Sequence, residues 1–243
     1  MAVILDGPRL LPQSRAADQL VVFLHGYGAN GNDLIAIGKQ WRSLLPGAAF
    51  VAPNAPEPCP QAPGGRQWFR LTMRDTAERW VGVNKARPVL DAFLDFELAR
   101  HGLDNSRLAL VGFSQGTMLA LHAGLRRAGP LAAILGYSGE FILPDGEGGL
   151  AAQLPANAAP PILLVHGRED DLIPAEALFL SAEKLAKANI PCQWHLTVGL
   201  GHGIDSQGLM HGGLFLASCF GLRPKLDPMG RGRASLQNTS PLP

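Results

Sequence analysis

Short apolar runs alternate with longer segments of mixed polarity along most of this chain. Each run is followed by Gly, Pro or His-Gly, which is typical of strands that end at a loop. Runs such as Ile162–Val165 are apolar throughout, and this suits strands buried on both faces of a parallel sheet. The predicted strands are Val21–Leu24, Ala48–Ala52, Leu108–Val111, Ala132–Leu135, Ile162–Val165 and Gln193–Val198.

The segments between these runs have the length and pattern of helices. The predicted helices are Asp33–Leu44, Lys85–His101, Gln115–Arg127, Pro174–Ala188 and Gln207–Phe220. Strands and helices that alternate in this way form βαβ units. We therefore expect an α/β protein with a mainly parallel central sheet and helices on both faces.

Two segments fall outside this alternation. Residues 57–65 are rich in Pro and Gly, so we predict no regular element there. This loop follows a strand end and should cross the carboxyl edge of the sheet, where ligands bind in such folds. Residues 223–243 contain four Pro and no apolar periodicity, and we predict a disordered tail beyond a single domain of residues 1–222.

Composition narrows the class of protein. The chain is 47% hydrophobic and 17% charged, which supplies enough apolar material for one large core. Its formal net charge of +1 gives no global field that favours nucleic acid or acidic membranes. The chain shows neither a signal-peptide pattern nor an apolar run near the roughly 18 residues that a membrane span needs.

The pattern of cysteines is typical of a protein in a reducing compartment. Cys59, Cys192 and Cys219 are scattered, without the spacing of metal ligands or of a disulfide framework. Such cysteines fit a reducing environment. We therefore predict a cytoplasmic protein with no transmembrane segment and no nucleic-acid partner.

The segment Gly112-Phe113-Ser114-Gln115-Gly116 follows one predicted strand and precedes a predicted helix. A Gly-x-Ser-x-Gly at such a turn is the nucleophile elbow of α/β-hydrolases, in which backbone strain exposes the serine hydroxyl. The five residues alone would also fit a serine in a surface turn. The strand–turn–helix context favours Ser114 as the nucleophile.

A serine nucleophile needs a histidine to accept its proton and a carboxylate to orient that histidine. In α/β-hydrolases the chain order is Ser, acid, His. His202 follows a predicted strand and has small neighbours that let its loop approach the elbow, so we predict it as the base. The alternative is a solvent-exposed loop histidine. The other histidines after Ser114 fit the role of base less well. No suitable acid lies between Ser114 and His166, His195 lies within a predicted strand, and His211 lies within a predicted helix.

Three carboxylates follow the predicted strand Ile162–Val165, where an acid at the carboxyl edge of the sheet should lie. They are Glu169, Asp170 and Asp171. Their spacing does not choose among them. Acidic residues before a helix are also good N-terminal caps, so that role is open for at least one of them.

An oxyanion hole needs two backbone N–H groups. Gln115 supplies one, because it follows the nucleophile at a helix N-terminus, and the segment His25–Gly28 after the first predicted strand can supply the other. That segment would also fit an ordinary Gly-rich turn. The chain lacks Gly-Lys-Ser/Thr and a spaced Gly-x-Gly-x-x-Gly after a strand, so we exclude nucleotide binding.

A series of short motifs covers about residues 5–222. In order, they are Leu24-His-Gly-Tyr-Gly28 with Asn32-Asp-Leu34, Pro53-Asn-Ala-Pro56, Trp68-Phe69, Gly112-Phe-Ser-Gln-Gly116, His166-Gly-x-x-Asp170-x-x-Ile-Pro174 and Gly201-His202. Together they resemble the phospholipase/carboxylesterase family, which includes bacterial carboxylesterases and acyl-protein thioesterases.

The resemblance assigns further roles. It implies that Asp170 is the triad acid and that the Tyr27 and Gln115 amides form the oxyanion hole. It also places Trp68-Phe69 beside the acyl site, with Arg70 where the family usually has an acidic residue. A tryptophan that only anchors its loop to the core is the alternative for this segment.

The resemblance also implies a compact α/β-hydrolase fold without a large cap domain. The expected activity is that of a serine carboxylesterase, which cleaves small-molecule carboxylic esters, or thioesters, through an acyl-enzyme. Lysophospholipid hydrolysis, acyl-protein thioesterase activity and a non-enzymatic ligand-binding role are the alternatives. We expect no metal and no organic cofactor, and a homodimer is left open.

Overall fold

The computed structural model describes residues 5–72, 76–143 and 159–222, so the predicted tail lies outside the described residues. The strands are β1 (Arg9–Leu10), β2 (Gln19–Leu24), β3 (Ala48–Val51), β4 (Glu57–Pro58), β5 (Arg66–Gln67), β6 (Leu108–Phe113), β7 (Ala133–Tyr137), β8 (Ile162–Gly167) and β9 (Cys192–Thr197). The α-helices are α1 (Gly31–Trp41), α2 (Thr76–His101), α3 (Gln115–Gly124), α4 (Glu176–Lys187) and α5 (Ser206–Cys219), and a 3₁₀-helix spans Asn105–Arg107.

The central sheet has seven strands in the order β1-β3-β2-β6-β7-β8-β9. Strand β1 is antiparallel to β3, and every other pair of neighbours is parallel. Because the carboxyl ends of parallel strands meet at one edge, the loops after β2, β6, β8 and β9 converge there. The candidate oxyanion, nucleophile, acid and base residues lie on these four loops, in that order.

The sheet is buried on both faces. Along β2, Leu20, Val22 and Leu24 pack in one hydrophobic core with residues of α2, α3 and α4. Val21 and Phe23 point the other way and pack with residues of α1 and α5. This alternation is what a strand covered by helices on both sides requires. The predicted fold class, an α/β-hydrolase with a mainly parallel sheet, is therefore confirmed.

The prediction of no regular element in residues 57–65 was wrong at its first two residues. Strand β4 pairs antiparallel with β5, with Glu57 opposite Gln67 and Pro58 opposite Arg66. Proline is tolerated in so short an edge pairing because it needs to donate no ladder hydrogen bond. The Pro- and Gly-rich residues form the turn of this hairpin.

Helix α2 begins nine residues before its predicted start at Lys85. The early part contains Val81, Gly82 and Val83, which have low helix propensity. Tertiary packing stabilises it: Val83 is buried, and Gly82 lies directly against the Phe69 ring, where an added Cβ would come within 2.4 Å of the ring. In the described parts of the chain, no helix is both long and apolar enough to cross a membrane.

Candidate active site

Ser114 occupies a strained turn between β6 and α3. Its backbone has φ 54° and ψ −117°, a combination that non-glycine residues rarely adopt outside functional sites. Its N–H donates to the Tyr137 carbonyl at 2.9 Å, which ties the turn to the end of β7. The Ser114 side chain makes no capping bond to α3, so its hydroxyl is left for chemistry.

The two glycines that flank Ser114 are required by close backbone packing. A Cβ at Gly116 would lie 1.9 Å from the Leu24 carbonyl oxygen, at the end of β2. A Cβ at Gly112 would lie 2.4 Å from the Thr117 backbone nitrogen. Any other residue would push α3 away from the sheet, so the Gly-x-Ser-x-Gly pattern has a steric cause in this chain.

Asp170 and His202 form a hydrogen-bonded pair across the ends of β8 and β9. His202 Nδ1 lies 2.8 Å from Asp170 Oδ2. The Asp170 side chain is fully buried, and the His202 side chain is 14% exposed. Because a carboxylate only accepts, Nδ1 carries the proton, and Nε2 is the ring nitrogen available as a base.

The backbone fixes the Asp170 carboxylate in place. Its Oδ1 accepts hydrogen bonds from the backbone N–H groups of Leu172 and Ile173, at 3.0 and 2.9 Å. The His202 loop approaches because β8 ends in Gly167, where a Cβ would lie 2.2 Å from the Gly201 carbonyl oxygen. A short loop and a glycine thus bring the acid and the histidine together.

The other two carboxylates have different environments. The exposed Glu169 side chain accepts a hydrogen bond from the Gly199 N–H at 2.6 Å and so closes the turn that leads to His202. Asp171 is exposed to solvent. The capping role left open by the sequence is not found for α4, whose N-cap residue is Ala175 and has no side-chain cap bond.

The two predicted oxyanion residues lie on the loops after β2 and β6. Among the described residues, neither the Tyr27 nor the Gln115 backbone N–H donates to a protein acceptor. The β4–β5 hairpin holds the Tyr27 loop through Gly28 N–H to Arg66 O at 2.9 Å and Arg66 N–H to Ala29 O at 2.8 Å. Both amides are therefore positioned by neighbouring backbone yet free to bind a ligand oxygen.

Trp68 and Phe69 are both 2% exposed and pack in the core. The Gln115 side chain accepts from the Trp68 N–H at 2.9 Å and donates to the Phe69 carbonyl at 2.7 Å. Trp68 Nε1–H donates to the His25 carbonyl at 3.0 Å, and the two rings lie 5.5 Å apart. These contacts favour the anchoring alternative for this segment.

A cavity of about 270 Å³ opens beside Ser114. Its described lining consists of Gly26, Tyr27, Ala29, Gln61, Leu71, Phe113, Ser114, Leu172, Ile173 and His202. The lining thus joins Ser114 and His202 to five apolar side chains that could contact an acyl chain. Trp68 and Phe69 are not among the described lining residues, and their predicted substrate contact stays untested.

Burial controls the titration of two groups on the loop that follows β2. Burial lowers the pKa of the His25 imidazole, so His25 stays neutral near pH 7. Burial, together with the hydrogen bond to Cys59, raises the pKa of the Tyr27 hydroxyl. The loop therefore carries no titrating charge near neutral pH.

Within the described ranges, no three His, Cys, Asp or Glu side chains cluster closely enough to hold a metal ion.

Comparison with known proteins places the chain in a family. The profile described as Phospholipase/Carboxylesterase matches residues 5–220. The chain belongs to the phospholipase/carboxylesterase family.

Relatives of this family member carry esterase and thioesterase names. An "Acyl-protein thioesterase 1" of Gibberella zeae is 28% identical, over 80% of this chain and 88% of the relative. "Esterase YpfH" of Escherichia coli is also 28% identical, over 80% of each chain. The crystal structure of esterase PE8 is 44% identical, covers 89% of this chain and 100% of its own, and superposes with a TM-score of 0.84.

Three side chains that lie near the site in this protein were not assigned a role from the sequence. Phe113 lies 5.1 Å from the His202 ring, measured between ring centroids. Ser138, at φ 44°, donates its hydroxyl hydrogen to the Gly203 carbonyl at 3.0 Å. His166 contacts Asp170 at 3.2 Å. All three follow or end a strand at the carboxyl edge, and that position is the signal that could have identified them.

Proposed function

We propose that this chain is a serine carboxylesterase that cleaves esters of neutral, short- and medium-chain carboxylic acids through an acyl-enzyme. The proposal is supported above all by the 2.8 Å bond between His202 Nδ1 and Asp170 Oδ2 beside a cavity that also contains Ser114. Membership of the carboxylesterase family supports the same reaction class.

In this proposal the reaction has two halves. His202 Nε2 takes the hydroxyl proton while Ser114 Oγ attacks the ester carbonyl, and the Tyr27 and Gln115 N–H groups bind the oxyanion. The tetrahedral intermediate collapses to acyl-Ser114, and the alcohol leaves with the proton from His202. Water then attacks the acyl-enzyme with His202 again as base, which releases the acid and restores Ser114.

The acyl preference follows from the size and polarity of the cavity. None of its described lining residues is Lys, Arg, Asp or Glu, and Leu71, Phe113, Leu172 and Ile173 supply apolar walls. A cavity of about 270 Å³ has room for a short- or medium-length acyl chain beside these walls. Longer chains would extend beyond the described walls.

Thioester hydrolysis is a second candidate for the same site. It is favoured by the relatives named acyl-protein thioesterase 1, one of which matches 83% of this chain at 29% identity. The same nucleophile and oxyanion donors would serve, because a thiolate leaves more readily than an alkoxide and needs less help from His202. The described lining carries no Lys or Arg side chain that would favour the phosphate of a lysophospholipid.

The test compares rates on p-nitrophenyl esters of increasing acyl length with rates on a thioester and a lysophospholipid. We expect kcat/KM to rise with chain length, to be greatest for medium-length chains and to fall for long ones. Ser114→Ala should lower kcat on the order of 10⁴-fold or more. The control is Ser218→Ala, an exposed serine of α5, which should match the wild type. Ser114→Ala activity within tenfold of wild type, with the fold intact, would refute the proposal.

A further inference from the structure

We infer that His166 is a positioning residue for the triad acid, acting on Asp170 from outside the described lining of the cavity. This inference rests on the proposed function of Ser114, Asp170 and His202. His166 is the last residue but one of β8, and its side chain is 1% exposed, beside the fully buried side chain of Asp170. It does not reach the cavity, so its effect is exerted through the carboxylate.

The contacts of His166 fix its tautomer. Its Nε2 lies 2.8 Å from the Ile173 carbonyl oxygen. A carbonyl can only accept, so Nε2 carries a hydrogen and donates it to Ile173. The same nitrogen lies 3.2 Å from Asp170 Oδ2, the oxygen that also accepts from His202. The electropositive N–H edge of His166 is therefore held beside the carboxylate.

Two consequences follow for Asp170. The N–H dipole of His166 adds to the hydrogen bonds from Leu172 and Ile173, and all three groups face the oxygens of a carboxylate that has no solvent access. His166 also closes a ring of contacts, because Ile173 accepts from His166 through its carbonyl and donates to Asp170 through its N–H. The rotation of the carboxylate towards His202 is thereby fixed.

The same contacts brace one wall of the cavity. Leu172 and Ile173 line the cavity, and the backbone that presents them is held by Asp170 on one side and by His166 on the other. Because the Ile173 N–H also donates to Asp170, loss of the His166 N–H should disturb the orientation of the acid together with this wall. It should lower kcat more than it raises KM, because Asp170 acts in the transition state rather than in substrate binding.

A matched pair of substitutions separates donation from packing. Gln and Met have nearly the same length and shape, but only Gln keeps a donor near the position of His166 Nε2. We expect His166→Gln to keep kcat within about fivefold of wild type. We expect His166→Met to lose about 10- to 100-fold, by analogy with the loss of partners that orient metal-binding histidines and carboxylates. His211→Met, on the exposed side of α5, controls for the histidine-to-methionine change itself.

Nitrogen-15 NMR of the wild-type protein gives a readout that needs neither turnover nor a variant. It should show a hydrogen on His166 Nε2. A His166 Nε2 without hydrogen would overturn the inference, as would folded Gln and Met variants with equal kcat, whether both active or both impaired. If His166→Met does not fold, the NMR result alone decides. Failure of the proposed function would be distinct, because wild-type protein would then lack esterase activity altogether.

Discussion

At the scale of single residues, Asp170 and Asp171 are neighbours in the chain but lie in different environments. The Asp170 carboxylate is buried and accepts two backbone N–H bonds and one from His202. Asp171 faces solvent. Both lie in the same short loop and carry the same charge, so their environments alone separate them. In the proposed mechanism, Asp170 orients His202 and stabilises the imidazolium that forms when His202 takes the Ser114 proton.

Substitution of each aspartate by asparagine tests this difference. Asp170→Asn places an amide that can donate towards His202 Nδ1, which favours the wrong imidazole tautomer. We expect kcat on a p-nitrophenyl ester to fall on the order of 10⁴-fold, as in the comparable substitution in a serine protease. Asp171→Asn, the matched control, should stay within about tenfold of wild type. The reverse ranking would show that the acid lies one position further along.

At the scale of elements, the β4–β5 hairpin and the residues after it form a support for the oxyanion loops. Arg66 bonds the Tyr27 loop through its backbone and donates from its side chain to the Ala55 and Pro56 carbonyls, at 2.8 and 2.7 Å. Trp68 and Phe69 bond the Gln115 side chain. One short segment thus bonds the two residues that follow Tyr27 and the side chain of Gln115.

Trp68→Ala should therefore reduce kcat/KM by a similar factor for every acyl length, because the change disturbs the oxyanion loops and leaves the cavity wall unchanged. Leu71→Ala is the contrast, since Leu71 lines the cavity. The loss of kcat/KM in Leu71→Ala should grow with acyl length, because each methylene that loses contact costs up to about 0.8 kcal/mol, or a few-fold in rate. Rates on the p-nitrophenyl ester series measure both. A length-dependent loss for Trp68→Ala would instead support direct substrate contact.

At the scale of the whole molecule, α3 carries a buried histidine that the site does not use. His122 is 0% exposed, and neither ring nitrogen has a hydrogen-bond partner among the described residues. Its ring lies 5.2 Å from the Trp80 ring of α2. Burial, with smaller contributions from Arg126 and Arg87, lowers its pKa to about 3. The folded protein therefore holds His122 neutral, whereas the unfolded chain protonates it below about pH 6.5.

This pKa difference predicts an acid-sensitive stability. Above about pH 6.5 the histidine is neutral in both states and contributes nothing to the pH dependence. As the pH falls from there towards 3, the unfolded state binds more protons and the free energy of unfolding decreases. Between pH 7 and about pH 4.5, the loss should be on the order of 2 kcal/mol.

His122→Leu should remove this contribution. Urea unfolding of both proteins near pH 7 and near pH 4.5 measures it. We expect the variant to be at least as stable as wild type near neutral pH, because two unpaired polar atoms leave the core. It should also lose less stability on acidification. Equal losses in both proteins would show that His122 does not titrate between the two states.

The alternation of apolar runs was enough to predict the six parallel strands and the five α-helices, because βαβ units bury strands on both faces, but not the two-residue antiparallel strand β1. The candidate residues could be located for a related reason: Ser114, Asp170 and His202 all follow strand ends. Pairings that depend on contacts distant in sequence could not be predicted. The start of α2 depends on the packing of Gly82 against the Phe69 ring. The β4–β5 hairpin depends on a pairing of only two residues in each strand. The bond between the Gln115 side chain and Trp68 leaves no periodic signal in the sequence.

Covalent labelling of Ser114 tests the central claim most directly. A fluorophosphonate reacts with a serine that a histidine activates and whose oxyanion is stabilised, so the adduct reports the assembled site. After labelling, digestion and mass spectrometry, we predict a single adduct on the peptide that contains Ser114, and none in Ser114→Ala. An adduct on a different serine, or retained ester hydrolysis in unlabelled Ser114→Ala, would contradict the account.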